Sequence, residues 1–317
     1  MLLFAPAFLT NNLLQCFVRN DGKPSLSMAA MIAGSFSNVL LDYVFIFPLD
    51  MGIFGAILAT GLAPLISICV LSPYLILRKN KFHFVLSKPS FKAIGNIFSS
   101  GFSPFLTEAT SGVVMFLFNF IILGISGNVG VAAFGVITVV SLVVTAIYTG
   151  LSQGLQPLIS RHHGAKEKET VSTLLKYGII TSLLLSCLIY IVIFFSASNI
   201  VAIFNTEQDT LLASYANEGM RIYFTAIPFV GANIVLATYF LSTEKALFAQ
   251  IISLLRGFFV LIPLAFLFSF LFKMMGIWIT YPITEAIVLI VGFLLFWITR
   301  KKDKTTQDSS KETETRA

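Results

Sequence analysis

Nine apolar stretches, each about as long as a bilayer is thick, follow one another along the chain and leave room for little except a membrane bundle. They run at about 1–18, 25–48, 53–77, 94–124, 130–157, 171–195, 218–241, 246–272 and 276–299. A helix needs about 20 apolar residues to cross the hydrocarbon core. Backbone amides find no water in lipid, so a spanning segment is a helix or a strand of a closed barrel. Barrel strands alternate in polarity over about ten residues, and the run 183–195 does not. The first stretch has no basic leader and is interrupted by Asn11, Asn12 and Gln15, which argues against a cleaved signal peptide. The expected fold is an all-α membrane protein, a polytopic helical bundle of about nine transmembrane helices.

Charge supports the spans and orients them. Only 11% of the residues are charged and 56% are hydrophobic, against about 25% and 45–50% in soluble domains. That excludes an ordinary soluble enzyme and a disordered chain. With the tail 300–317 on the cytoplasmic side, alternation places the basic regions 19–24, 78–92, 161–169 and 242–245 there too. Those regions hold 17 of the 21 Lys and Arg residues, and the opposite side holds only Lys273. Lys176, Arg221 and Arg256 fall within or at the ends of spans. This is the positive-inside pattern of a multi-pass plasma-membrane protein with a cytoplasmic C-terminus. It accounts for the net charge of +6 and leaves no case for a nucleic-acid partner. Trp278 and Trp297, near opposite ends of the last span, fit interfacial anchors. The polar segment 300–317 lacks periodicity and reads as a disordered cytoplasmic tail. Cys16, Cys69 and Cys187 sit in apolar runs as packing residues.

The chain also repeats itself. Segments 23–66 and 245–290 each open with a basic turn, cross, turn at Met-Gly-Ile and cross back. Met51-Gly52-Ile53 matches Met275-Gly276-Ile277, Thr60 matches Thr284, and Leu65-Ile66 matches Leu289-Ile290. Both copies start on the same side, so the repeat is parallel. Taken as lobes, 94–299 is a six-helix C-terminal lobe. Segment 1–77 is then a three-helix remnant of an N-terminal lobe, and 78–93 a basic loop between them. The chain reads as the remnant of a twelve-helix, two-lobe transporter lacking its first three helices.

Several segments resemble the multidrug and toxic compound extrusion (MATE) family. They are Phe17-Val18-Arg19-Asn20-Asp21-Gly22-Lys23-Pro24, Asn38-Val39-Leu40-Leu41-Asp42 and Met51-Gly52-Ile53-Phe54-Gly55-Ala56 in the first part. In the second part they are Gly150-Leu151-Ser152-Gln153-Gly154-Leu155-Gln156-Pro157-Leu158-Ile159-Ser160, Gly164-Ala165-Lys166, Ser242-Thr243-Glu244-Lys245-Ala246, Gly276-Ile277-Trp278 and Pro282-Ile283-Thr284-Glu285. The resemblance implies a non-enzymatic antiporter with two six-helix lobes. It would exchange protons or sodium, its only inorganic requirement, for a drug-like or cationic organic substrate, and act as a monomer at full length. Relatives often carry a cation-site Glu in the helix that holds Glu108. They can carry an Asp in the helix that here offers Asn233, a departure that tilts the reading toward protons.

Polar groups at depth are the candidates for coupling, because lipid penalises a central charge by about 2.5 kcal/mol or more. Three acids lie well within spans: Asp42, Glu108 and Glu285. Glu108 follows Pro104 by four residues and Glu285 follows Pro282 by three. An internal proline strips one backbone hydrogen bond and frees a carbonyl. With Pro228, these prolines are expected helix breaks. Asp42 shares a helix face with Asn38, which allows interlobe hydrogen bonding as well as cation handling. Arg256 needs an anion, with Glu108 and Glu285 as the two deep candidates, and a pair with either would be a switch or a structural ion pair. Glu218 and Arg221, three apart, are expected to pair. Asn233, Tyr148 and Asn119 are candidate substrate contacts. Phe116, Phe118, Phe120, Phe134, Phe224 and Phe229 are candidate cation–π surfaces.

His162-His163 lacks nearby ligands at zinc spacing, and His83 lies in the basic loop. No phosphate-binding G-x-x-x-x-G-K-[ST] occurs, so energy must come from an ion gradient. Two other readings stay open at this point. One is a lipid-linked sugar flippase, which would need several deep cations. The other is a truncated, non-transporting chain.

Overall fold

The computed structural model describes residues 2–82 and 90–314, and the side chains of 103, 104, 107, 111 and 302–314 are not described. His83 and most of the expected loop 78–93 therefore lie outside the described residues. The described residues contain helices and turns and no strand. The chain divides into two compact units, Met1–Lys88 and Pro89–Ala317.

The first unit holds a short 3-10 turn, Leu2–Phe4, then α1 (Ala5–Asn20), α2 (Pro24–Ile46) and α3 (Gly52–Ile76). Val18, Ala30, Leu71 and Tyr74 make its small core. Polar groups tie the helices together. Gln15 Nε2 donates to Ser67 Oγ at 3.1 Å, and the Tyr74 hydroxyl donates to Asp21 Oδ2 at 2.6 Å.

The second unit is larger. It runs through α4 (Phe91–Gly164), α5 (Lys168–Phe204), α6 (Thr210–Tyr223), the 3-10 turn Phe224–Ala226, α7 (Ile227–Ser242), α8 (Ala246–Leu254), a π-helical turn at Leu255–Phe259 and α9 (Leu261–Glu314). Its core gathers Trp278, Tyr148, Phe118 and Phe224. In α5 the buried face is Val171, Leu175, Gly178, Ser182, Ser186, Ile193, Ala197 and Val201, while Leu184, Leu188, Val192 and Phe195 point outward. The middle of the buried face is small and hydroxylated, at Gly178, Ser182 and Ser186, while the exposed face there is mostly large and apolar. That is the reverse of a soluble helix and the arrangement lipid favours.

Six helical runs among the described residues are long and apolar enough to cross a membrane. Two of them, Glu108–Gly164 and Ala246–Lys301, contain 57 and 56 residues, far more than the roughly 20 one crossing needs. Each is broken once by left-handed backbone, at Gly127 (φ 62°) and Lys273 (φ 53°). Both breaks fall between stretches that the sequence separates. After Lys273 the chain folds back so tightly that a Cβ on Gly276 would lie 1.9 Å from the Phe268 carbonyl oxygen. Only glycine fits there.

The basic turns share one construction. Helices α1, α3, α4 and α7 each end at a residue of positive φ: Gly22 (85°), Arg78 (50°), Lys166 (61°) and Glu244 (60°). In each, the next amide bonds back five residues, Lys23 to Val18, Lys79 to Tyr74, Glu167 to His162 and Lys245 to Phe240, at 2.8–3.2 Å. These are Schellman caps. The two caps that open the repeat, at Gly22 and Glu244, have the same hydrogen bonds. The repeat copies then diverge by two residues, since Met51 follows Lys23 by 28 and Met275 follows Lys245 by 30. The π-helical turn at Leu255–Phe259 takes up one extra residue, closed by Val260 N to Leu255 O at 3.0 Å.

Some expectations need correction. The backbone is helical through Pro104 and Pro282. A single lost hydrogen bond bends a helix held by its neighbours without ending it. Pro228 does mark a junction, standing in the first turn of α7 where a missing amide costs nothing. Trp278 is no interfacial anchor. It is fully buried because Gly219 leaves room for its indole. Trp297 is 65% exposed, with the Lys301 ammonium 5.9 Å from its ring centre. Arg221 has no ion pair with Glu218 among the described residues. Its guanidinium lies 5.2 Å from the centre of the Phe194 ring. Helical backbone continues to Glu314, across the tail read as disordered. The helix that enters this stretch needs no new nucleus, which offsets the weak helix propensity of its Asp, Ser and Thr residues.

Candidate cation-coupling site

Four polar side chains converge inside the second unit, from α7, the π-helical turn and α9. Glu285, on α9, is fully buried. Arg256, on the π-helical turn, donates through Nε to Glu285 Oε1. Asn233, on α7, donates through Nδ2 to Glu285 Oε2 at 2.8 Å and to the Glu285 carbonyl at 3.0 Å. Arg256 Nη2 also reaches the Tyr281 hydroxyl at 3.3 Å.

Local structure explains the convergence. Tyr281 and Glu285 are four residues apart on α9 and share a face. The π-helical turn shifts the register around Arg256, and such turns often mark functional positions. Gly257 lets this turn approach α4, since a Cβ there would lie 2.1 Å from Thr110 Oγ1. Tyr281 is held in turn by Tyr223, whose ring stacks on it at 4.5 Å between centres and 7° between planes. A cavity of about 10 Å³ beside this stack is lined partly by Ser141 and Thr145, which is about the space of one water.

Both carboxylate oxygens of Glu285 thus have a donor, one charged and one neutral. Asn233 Oδ1 and Thr284 Oγ1 are buried without a hydrogen-bond partner. A buried ion pair is a weak source of stability, but removing one partner is costly because the other charge is stranded. Whatever neutralises Glu285 in place of Arg256 must therefore be a proton or another cation.

The other expected residues lie elsewhere. Of the two candidate anions for Arg256, its partner is Glu285. Glu108 is exposed on the surface of its unit and makes no hydrogen bond or ion pair among the described residues. Asp42 is half-buried on α2 in the first unit. Its Oδ1 and the Asn38 Nδ2 one turn away are both buried without partners, a donor and an acceptor left open on one helix face. Asn119 is half-buried on α4. Tyr148 is fully buried, with its hydroxyl 2.6 Å from Ser186 Oγ. It packs where a Cβ on Gly231 would lie 2.5 Å from its ring. Phe118, Phe134 and Phe224 are core residues, while Phe116 and Phe120 are exposed.

Sequence reading missed Tyr223 and Tyr281 as supports for Arg256. The four-residue spacing of Tyr281 and Glu285 was the available signal, whereas the stack with Tyr223 joins residues 58 apart. It also missed the pair formed by His162 Nδ1 and Glu167 Oε2 at 2.7 Å, which depends on the cap at Lys166. Among the described residues no group of three or more metal-ligating side chains is found.

Curated relatives include the multidrug export protein MepA of Staphylococcus saprophyticus, 26% identical over 312 residues, covering 98% of this chain and 68% of the relative. MepA of Staphylococcus aureus is 25% identical with the same coverage. Among solved structures, an outward-facing multidrug resistance MATE transporter matches with a TM-score of 0.88 at 20% identity, over 94% of this chain and 67% of that one. A transporter of the MOP superfamily from Pyrococcus furiosus matches at 0.85 and 20% identity, over 92% and 66%. These structural likenesses establish the fold. The MatE family model matches residues 105–267, just over half of the chain, a stretch that includes Glu108, Asn233 and Arg256. The chain is a multi-pass membrane protein and belongs to the MatE family.

Proposed function

We propose that the protein exports drug-like or cationic organic compounds in exchange for protons or sodium, and that Glu285 is its coupling acid. The reading takes nine crossings, with both long helical runs folding back at Gly127 and Lys273, and the C-terminus in the cytoplasm. Its main support is one observation: Glu285, fully buried, is shared between Arg256 and Asn233. In the resting state Arg256 neutralises the carboxylate. An incoming proton or sodium ion competes with the guanidinium, and a displaced Arg256 repels an organic cation. Ion entry thereby opposes substrate retention, which is the linkage antiport needs. Asn233 follows Glu285 through both states, since its amide can donate to a carboxylate or accept from a carboxylic acid. Asp42 is a second candidate acid of a different kind, half-buried and with an Oδ1 that has no hydrogen-bond partner to displace. Glu108 is an accessory acid on the unit surface. The names of the MepA relatives support multidrug export. With Arg256 engaged by Glu285, the lipid-linked sugar alternative loses the deep cation it would use for pyrophosphate.

The test is ethidium efflux from cells expressing the protein, with pH and sodium varied separately. Glu285→Gln is expected to abolish gradient-driven efflux while leaving protein in the membrane. Efflux by Glu285→Gln equal to wild type would refute the assignment.

A further inference from the structure

A second cavity lies at the end of the larger unit where its basic turns gather. There the end of α4, the start of α5, the end of α7 and α9 enclose a cavity of about 1000 Å³. No residue of the Glu285 network lines it. Lys166, Lys168, Lys245 and Arg300 stand around it, against the acids Glu169 and Glu244. Tyr239 and Phe296 also line it and meet edge to face, with ring centres 5.5 Å apart, and both are half-buried. Two of its turns are the Schellman caps at Lys166 and Glu244, so the rim is built on hydrogen-bonded backbone.

Its position fixes the environment. Trp297, exposed beside Phe296 in sequence, carries Lys301 over its ring, the pattern of an interfacial aromatic and a snorkelling lysine. The cavity therefore opens at the level of the lipid headgroups. Four cationic side chains and an aromatic pair lining one cavity, against two acids, suit a ligand with a phosphate anion at one end and hydrocarbon at the other. Basic pockets between helices on the cytoplasmic side hold anionic headgroups by this chemistry. A free phosphate would use the rim and leave Tyr239 and Phe296 without a role, and its volume is far below that of the cavity.

We propose that this cavity binds the phosphodiester headgroup of an anionic phospholipid, with the upper acyl chain against Tyr239 and Phe296. Each nearby Lys or Arg strengthens such binding severalfold, so removing two weakens it by about tenfold or more.

The experiment is native mass spectrometry of the detergent-purified protein titrated with dioleoylphosphatidylglycerol, dioleoylphosphatidylcholine or inorganic phosphate. Wild type is expected to retain phosphatidylglycerol in preference to phosphatidylcholine. Lys166→Gln/Lys245→Gln should lose that preference, and Lys166→Arg/Lys245→Arg should keep it. Lys79→Gln/Lys81→Gln, which removes equal charge outside the cavity, should behave as wild type. Equal retention of both lipids by wild type, or equal loss in the cavity and control variants, would overturn the proposal. Displacement of phosphatidylglycerol by an equimolar amount of inorganic phosphate would overturn it as well, in favour of a free-phosphate site.

Discussion

The amide of Asn233 holds two atoms of Glu285 at once, the carboxylate oxygen at 2.8 Å and the backbone carbonyl at 3.0 Å. One side chain on α7 thereby fixes both the rotamer of the acid and the level of α9. Replacing it should strand a buried carboxylate oxygen and a buried carbonyl. Asn233→Ala is expected to destabilise the protein by about 1–3 kcal/mol, read as a lower unfolding temperature in detergent. Asn233→Asp, which sets a second acid against Glu285, should cost more at neutral pH than at acidic pH.

Gly257 brings the π-helical turn against α4. Gly257→Ala places a methyl group within 2.1 Å of Thr110 Oγ1 and 2.3 Å of its Cγ2. Overpacking of this kind costs about 1–3 kcal/mol. Thr110→Ala should recover part of the loss when combined with Gly257→Ala, a non-additivity that a double-mutant cycle of unfolding temperatures measures.

The helix caps respond oppositely to glycine and alanine. Gly22 has φ 85° with nothing within 4 Å of an added Cβ, so space is no obstacle to alanine but backbone conformation is. Gly22→Ala should destabilise by about 1 kcal/mol. Glu244→Gly, at φ 60°, relieves the same strain and should raise the unfolding temperature, net of the added chain entropy of glycine.

Outside the membrane, the hydrogen bond from His162 holds the Glu167 carboxyl below its ordinary value of 4.5. A depressed folded pKa stabilises the folded state above the unfolded value, and that contribution is lost as pH falls through the folded one. The stability difference between wild type and Glu167→Gln should be present at about pH 6 and disappear on acidification below the ordinary carboxylate range. Thermal unfolding across pH 3–6, in steps of about 0.5 unit, follows this directly.

Much of the architecture was legible because lipid imposes a coarse rule. A stretch of about 20 apolar residues between polar turns has few alternatives to a spanning helix, and the interruptions at Gly127 and Lys273 fall between such stretches. The pairing of Arg256 was half legible. A deep guanidinium requires an anion, but choosing Glu285 over Glu108 depends on how the π-helical turn rotates, and a one-residue insertion leaves no compositional mark. Trp278 shows the opposite failure. Its place near a span end favours the interface, and only the packing against Gly219 and Phe134 puts it in the core. Prolines misled for a local reason: Pro282 removes one hydrogen bond from a helix that α7 and the π-helical turn hold in place. Residues far apart in sequence, such as Tyr223 and Tyr281, meet through tertiary packing that periodicity does not encode.

The most direct test of the coupling claim is the affinity of the purified protein for an organic cation such as ethidium, measured by fluorescence polarisation across pH and sodium concentration. The account predicts that wild-type affinity falls as the coupling ion rises, and that Glu285→Gln loses most of that dependence. An undiminished pH or sodium dependence in Glu285→Gln would contradict it.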